Sequence, residues 1–126
     1  MKKKLPIIGA VILVILAVFF YNITNGLSEG AKVPLSGIDL SAVPNGSYTG
    51  AYEFKRWSNT VVVQIQDHRI TAVNIVKDVP GARITNCSDE IFRRVIKAQN
   101  TTVDAVSGAT VTSKAYLKAI ENAFNP

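Results

Sequence analysis

The sequence contains very few of the side chains that bind metals or form disulfides. Among its 126 residues there is one cysteine, Cys87, and one histidine, His68. A single cysteine cannot form an internal disulfide, and no second Cys or His stands at metal-ligand spacing from it. Neither a disulfide framework nor a structural zinc site is therefore available. The stability of the fold must come from packing.

The net positive charge is also small once the N-terminus is set aside. The formal net charge is +5, but Lys2, Lys3 and Lys4 supply three of those charges. Proteins that bind nucleic acids carry basic patches or stripes on the folded domain. The sequence therefore gives no support for nucleic acid as a partner.

One long apolar segment follows the three lysines. From Leu5 to Tyr21 there is no charged residue, and a helix of this length spans roughly 26 Å, near the short end for a membrane span. A cleavable signal peptide is the alternative, but the segment ends in two phenylalanines and a tyrosine rather than in the small residues of a cleavage site. No cysteine stands directly after the segment, where a lipoprotein would carry its lipid. We expect a retained transmembrane anchor over residues 5–22, after a basic end at residues 1–4.

The charges around this span predict its orientation. The lysines precede the span, and none follows it closely. Because positively charged flanks stay in the cytoplasm, we expect a single-pass protein of the cell membrane with a cytoplasmic N-terminus and an extracytoplasmic domain after Asn22. Residues 23–44 are rich in glycine and proline, which predicts a linker with little regular structure.

Three segments alternate between apolar and polar residues with the period of a β-strand. They are residues 46–54, 60–66 and 69–76. Asp67 and His68 connect the last two and suit a two-residue hairpin if both adopt positive φ. We therefore expect His68 to be an exposed turn residue, and the first half of the domain to be β-rich.

The spacing changes to that of helices in the second half. Apolar residues predict one helix that begins at about Ser88, as its cap, and another from about Ser113 to Phe124. The basic residues of the first helix, Arg94 among them, are most simply a solvated face. Strands followed by helices predict an α+β domain over residues 45–126, a small antiparallel sheet with two helices packed on one face. The single N-terminal transmembrane helix precedes it.

A loop dense in hydroxyl groups connects the two predicted helices. It spans residues 101–113, where small residues leave the backbone beside Thr110 open. The loop enters a helix that Thr112 or Ser113 would cap. A helix N-terminus suits a phosphate because it offers unpaired N–H donors and a positive partial charge. These residues alone leave two interpretations open, a functional site and a capping loop without a ligand.

The segment from Asp104 to Ala115 reads DAVSGATVTSKA and resembles the flavinylation motif of the FMN-binding domain family. Members include the C subunit of sodium-translocating NADH:quinone reductase, the G subunit of Rnf complexes and small exported proteins of extracellular electron transfer. In this family a flavinyltransferase takes FMN from FAD and esterifies its phosphate to the threonine that closes the Ser-Gly-Ala-Thr stretch. The resemblance implies covalent FMN on Thr110.

The resemblance implies roles for the neighbouring residues as well. Asp104 matches the acidic residue of the motif, and the small residues before Thr110 match those that the transferase must accommodate. The implied cofactor-binding set is Thr110 with Asp104, Ser107, Gly108, Ala109, Thr112 and Ser113. The similarity extends more loosely upstream, to about Ser36. The extra segments of the large respiratory subunits are missing, so membership of a sodium pump is not expected.

The implied function is that of an extracytoplasmic electron carrier without catalytic residues of its own. Its donor would be a membrane partner linked to quinone or NADH, and its acceptor would be extracytoplasmic. Since no His or Lys adjoins Thr110 to activate the hydroxyl, attachment would need the external transferase. The alternative is a module that binds FMN or a partner reversibly. A self-contained flavin reductase is disfavoured because no glycine-rich strand-to-helix turn is present to dock NAD(P)H.

Overall fold

The computed structural model describes residues 4–81 and 86–125, so the basic residues Lys2 and Lys3 lie outside the described part. The elements, in chain order, are α1 (Leu5–Thr24), α2 (Leu27–Ala31), β1 (Gly46–Tyr52), a short 3-10 helix (Lys55–Trp57), β2 (Asn59–Gln66), β3 (Arg69–Lys77), α3 (Cys87–Ala98) and α4 (Thr110–Phe124).

Helix α1 is the apolar N-terminal segment, and none of its residues is buried in the protein. Pro6 stands in its first turn, where a missing N–H group removes no helical hydrogen bond. Its 20 residues make a helix about 30 Å long, which matches the hydrocarbon core of a bilayer. This N-terminal helix is therefore long and apolar enough to cross a membrane.

The three strands form one antiparallel sheet with β2 in the middle. In its register Val63 stands opposite Tyr48 of β1 and Val73 of β3. The β2–β3 turn has φ angles of 53° at Asp67 and 62° at His68, and both residues are exposed. This confirms the predicted hairpin, because a two-residue connection with positive φ matches the twist of the strands.

The core lies between this sheet and α4. Strand β2 buries Val61, Val63 and Ile65, while α4 contributes Tyr116 and Ile120 among others. Helix α4 contacts both β1 and β2, and α3 packs on α4 and β3. The predicted α+β class, an antiparallel sheet with helices packed against it, is confirmed.

The starts of both helices differ from the prediction. Helix α3 begins at Cys87 and α4 begins at Thr110, and the residue before each helix makes no capping hydrogen bond with its side chain. The predicted capping roles of Ser88, Thr112 and Ser113 are therefore wrong. In α4 the carbonyl of the preceding alanine already accepts a hydrogen bond from the Ser113 amide, so the helix starts three residues before the predicted position.

The segment that follows α2, residues 32–44, has no helix or strand, but it is not free. Leu40 is buried in the core. The amide of Gly37 donates to Glu121 Oε1 over 2.9 Å, and the amide of Ile38 donates to the side chain of Asn100. Where the composition predicted a linker, the structure has a strap held along the domain. Glycine and proline indicate irregular backbone, but they do not reveal where the apolar residues between them are buried.

Candidate functional site

The loop between α3 and α4 presents Thr110 in an open position. We call residues 101–109 the acceptor loop. Thr110 is the first residue of α4 and is exposed. Before it, Gly108 has a φ of +80°, and a Cβ built there would meet no heavy atom within 4 Å. Glycine adopts this left-handed backbone without strain. The result is an exposed hydroxyl beside an unobstructed backbone.

Ser113 holds the acceptor loop to the helix. Its side chain is fully buried, and its hydroxyl accepts a hydrogen bond of 3.0 Å from the amide of Val106. The Sγ atom of Cys87 lies 3.2 Å from the same oxygen. Burial raises the pKa of the Cys87 thiol, which keeps this cysteine protonated and unreactive. Ser113 therefore positions the backbone that leads to Thr110.

Arg94 holds the other side of the acceptor loop. Its guanidinium donates to the carbonyl oxygen of Asp104 over 2.8 Å and to that of Ala105 over 3.3 Å. Its Nε donates to Glu90 over 2.9 Å, and hydrogen bonds from Arg94 and then Arg93 lower the pKa of the Glu90 carboxyl. The predicted solvated face therefore describes α3 only in part, because Arg94 on that face also contacts the acceptor loop. The only local signal was the spacing of Glu90 and Arg94, which predicts a surface ion pair and no contact with the loop.

A cleft lies between α3 and the acceptor loop. Its volume is about 740 Å³, and its lining includes Lys97, Val103, Asp104 and Ser107. Ligand sites of small molecules have volumes of roughly 300 to 1,000 Å³, so the cleft is large enough for an aromatic ring system. Lys97 adds a positive charge to a wall that is otherwise mixed in polarity.

The structure divides the predicted site residues between the cleft, whose lining does not include Thr110, and the start of α4. Asp104 and Ser107 are exposed and line the cleft, and Thr110 is exposed at the helix terminus. Thr112 is half-buried in the first turn of the helix, whereas Ser113 faces the interior. A contact between Ser113 and a cofactor stays a prediction, since its hydroxyl already bonds to the loop.

The first turn of α4 has the electrostatics of an anion site. The first amides of an α-helix have no acceptor within the helix, and the first turn of α4, all of it described, contains no acidic residue that would neutralise them. The positive end of the helix dipole is therefore open to an external anion. An FMN phosphate on the Thr110 hydroxyl would adjoin these amides, so the residues present fit that group.

Among the described residues, nothing activates the Thr110 hydroxyl as a nucleophile. Within residues 4–81 and 86–125, no histidine, lysine or carboxylate makes a hydrogen bond to it, and no group of metal-ligating side chains is found there. His68 lies at the β2–β3 turn, with Nδ1 3.2 Å from the carbonyl oxygen of Leu40. A threonine hydroxyl is a weak nucleophile without a neighbouring base or metal. The described residues therefore leave Thr110 exposed and its hydroxyl without an activating partner.

Comparison with known proteins covers this same region. The sequence model described as the FMN-binding domain matches residues 57–125, more than half of the chain. The chain belongs to the FMN-binding domain family. The match includes β2, β3, both helices of the domain and the acceptor loop, and it confirms the resemblance seen in the motif. A search of curated proteins found no match. Family membership supports FMN as the cofactor of this protein.

Proposed function

We propose that this FMN-binding protein is a membrane-anchored electron carrier whose FMN is joined through its phosphate to Oγ1 of Thr110. The observation that carries the proposal is the exposed threonine at an open helix terminus, inside a segment with the family's flavinylation motif. The alternative, a module that binds FMN or a partner reversibly, gives no reason for a motif that ends in an accessible hydroxyl.

The attachment step balances with FAD as the donor. A phosphorus–oxygen bond of the FAD pyrophosphate breaks, and a bond forms between the FMN phosphorus and Oγ1 of Thr110. AMP leaves, and the hydroxyl proton passes to a base of the transferase. Because Thr110 has no base of its own within the described residues, the flavinyltransferase must supply both the base and any metal ion.

The residues of this chain would hold and orient the cofactor after the transferase has attached it. Bound FMN supplies reversible electron transfer, which belongs to its ring system. The amides of the first turn of α4 would stabilise the phosphate, while Arg94 and Ser113 hold the backbone of the acceptor loop. The cleft beside Asp104 and Ser107 offers room for the ring.

The proposed location is the extracytoplasmic face of the cell membrane. Helix α1 would anchor the chain with its lysines in the cytoplasm. Electrons would come from a membrane partner linked to quinone or NADH and pass to an extracytoplasmic acceptor. A covalent bond suits that side of the membrane, because even a nanomolar complex would lose its cofactor to a large external volume.

Co-expression of the full chain with a flavinyltransferase tests the proposal. We expect a fluorescent band on a denaturing gel, and an intact mass raised by one FMN less one water. Thr110→Ala should abolish both signals. The matched control is Thr49→Ala, which removes an exposed threonine hydroxyl on β1, outside the implied cofactor-binding set, and should leave the flavin attached.

Three results would contradict parts of this proposal. Flavin that survives in Thr110→Ala would reject the assigned residue. An unmodified chain from the native host, with flavin lost on dialysis, would favour the reversible module. Oxidation of NADH by the purified protein alone would point to a reductase. The same intact mass reports whether residues 5–22 are retained as an anchor.

A further inference from the structure

The folded domain has two ends, which are defined by the direction of α4. The first half of α4 lies near the start of β2, because Nδ2 of Asn59 donates to the carbonyl oxygen of Ala115 over 3.1 Å. Its last turn lies near the start of β1, where the rings of Phe124 and Tyr48 are 5.4 Å apart. The 15 residues of α4 cover about 22 Å. We call the end that holds Thr110 the proximal end and the other the distal end.

The residues that follow α1 contact the proximal end of the domain directly. Asn25, the residue after α1, accepts a hydrogen bond of 2.8 Å from Nζ of Lys55 in the 3-10 helix that precedes β2. Gly26 then packs so closely against Lys55 that a Cβ would lie 2.8 Å from its side chain. The membrane helix and the domain are therefore connected by contact and not by a free segment.

Helix α2 continues this contact to the first turn of α4. Gly30 is buried against Val111, and a Cβ at Gly30 would lie 2.5 Å from Cγ1 of that valine. Nζ of Lys114 donates to the carbonyl oxygen of Ala31. The chain from Thr24 to Gly30 can extend over at most roughly 21 Å. Thr110 immediately precedes Val111, so the acceptor threonine adjoins the segment that emerges from the span.

The strap, residues 32–44, leads from the proximal end to the distal end. The carbonyl oxygen of Leu40 lies 3.2 Å from Nδ1 of His68 at the β2–β3 turn. Further on, the carbonyl oxygen of Pro44 accepts a hydrogen bond of 2.7 Å from the hydroxyl of Tyr48. The strap is therefore held along the domain. It cannot lengthen the connection between α1 and the proximal end.

We propose that the proximal end rests on the lipid headgroups of the bilayer, so that Thr110 is held at the membrane surface. The proposal rests on the membrane anchoring by α1 that the proposed function includes. Leu27, an exposed apolar residue just after the span, can enter the boundary of headgroups and acyl chains. Lys55 and Arg56 are exposed at the same end and can contact lipid phosphates.

Charge alone does not explain this contact. Glu29 and Glu53 are also exposed near the proximal end and offset the cations Lys55 and Arg56. The packing of Gly26 and Gly30 is independent of charge. The orientation should therefore persist in neutral phospholipid. An FMN on Thr110 would then face partners that carry their own redox group at the membrane surface.

Quenching by labelled lipids tests the orientation. The full chain is placed in phosphatidylcholine vesicles that contain a lipid with a nitroxide on its headgroup. A fluorophore is attached through Ser107→Cys in the acceptor loop or through Asp67→Cys at the distal turn, both exposed positions. Buried Cys87 should not react, and the unsubstituted chain checks this. We expect severalfold stronger quenching of the dye at position 107. Equal quenching of the two dyes would overturn the proposal.

A pair of glycine substitutions tests whether the contact between α2 and α4 holds the domain in this orientation. Gly30→Val places methyl groups where Val111 stands, and it should bring the quenching of the two dyes close together. The matched control, Gly9→Val, lies in α1, where a Cβ meets no heavy atom within 4 Å, and it should leave the difference intact. If Gly30→Val also leaves it intact, the α2 contact does not hold the domain and the proposal fails.

The dyes also separate this proposal from the proposed function. The dyes report their distance from the lipid headgroups whether or not flavin is bound. A labelled chain with Thr110→Ala should therefore show the same quenching as the labelled chain that keeps Thr110. Flotation of the vesicles shows whether the chain is anchored. A chain that does not float would overturn the anchoring and the orientation together, whereas a floating chain with equal quenching would overturn the orientation alone.

Discussion

The two parts of α4 differ in what their side chains do. In the first turn Thr110 is exposed, and no acidic residue stands beside the free amides of this described turn. Further along, Tyr116 and Ile120 are fully buried, and β1 lies so close that Gly50 has no room for a side chain. The contrast is between an exposed helix terminus and a tightly packed remainder of the helix. Substitutions in the packed remainder should change stability, while those in the first turn should change chemistry.

The largest effect on stability is expected at Gly50, where β1 meets α4. A Cβ there would lie 2.0 Å from the carbonyl oxygen of Ala119 and 2.5 Å from the amide nitrogen of Ala123. Gly50→Ala should therefore lower the free energy of unfolding by about 3 kcal/mol, as overpacking does. Urea denaturation of the full chain in detergent measures it. Ala51→Ser, on the exposed face of the same strand, should change stability by less than about 0.5 kcal/mol. If Gly50→Ala and Ala51→Ser lower the free energy of unfolding equally, close packing at Gly50 does not set the stability of this part of the domain.

The next largest effect is expected at Glu121, which ties α4 to the strap. Its buried carboxylate accepts hydrogen bonds from the amide of Gly37 and, over 2.7 Å, from the hydroxyl of Thr101. Glu121→Ala leaves these donors without a partner and should cost about 2 to 3 kcal/mol in the same denaturation experiment. Glu121→Gln keeps an acceptor oxygen, so it should lower the free energy of unfolding by less than Glu121→Ala does. If the two variants are equally unstable, the charge and not the hydrogen bonding holds the strap.

Ser113 lies at the border of the two parts and should affect both stability and chemistry. Ser113→Ala removes the acceptor of the Val106 amide and should cost about 1 to 2 kcal/mol. It should also slow flavin attachment, because the acceptor loop loses its position. A time course of gel fluorescence measures the rate. Thr49→Ala, at an exposed position of β1, serves as the control for both readouts. An unchanged rate in Ser113→Ala would show that the loop is positioned by Arg94 alone.

The smallest effect on stability is expected at Thr110 itself. Its side chain is exposed, and Thr110→Val keeps the branched shape while it removes the hydroxyl. The free energy of unfolding of the chain without flavin should change by less than about 0.5 kcal/mol, although covalent flavin is lost. A loss above about 1 kcal/mol would mean that the hydroxyl also supports the fold, which would blur the contrast between the two parts of α4.

Much of this arrangement could be predicted from local patterns. Alternation over residues 60–66 correctly predicted a strand, and its apolar residues Val61, Val63 and Ile65 are buried in the core. The two-residue connection predicted the hairpin at Asp67 and His68. These predictions succeed because a strand face and a tight turn depend on residues that are neighbours in the sequence. The start of α4 was less predictable, since backbone bonds of the acceptor loop and not a capping side chain begin the helix.

The positioning contacts of the site could not be predicted in this way. Arg94 bonds to the backbone of Asp104, and Ser113 bonds to the backbone of Val106. A backbone carbonyl or amide looks the same at every residue, so no side-chain pattern marks these partners. The covalent role of Thr110 stays a prediction from the family motif, and the gel experiment decides it.

The sequence by itself determined the apolar span, the strand and helix periods, and the motif that ends at Thr110. Only the tertiary structure decided that the predicted linker is a strap and that Thr110 lies at the end of the domain nearest the span. The reason is the distance along the chain. Gly30 meets Val111, and Gly37 meets Glu121 across 84 positions. Such contacts form only when the sheet has aligned α4 with the segment that follows α1.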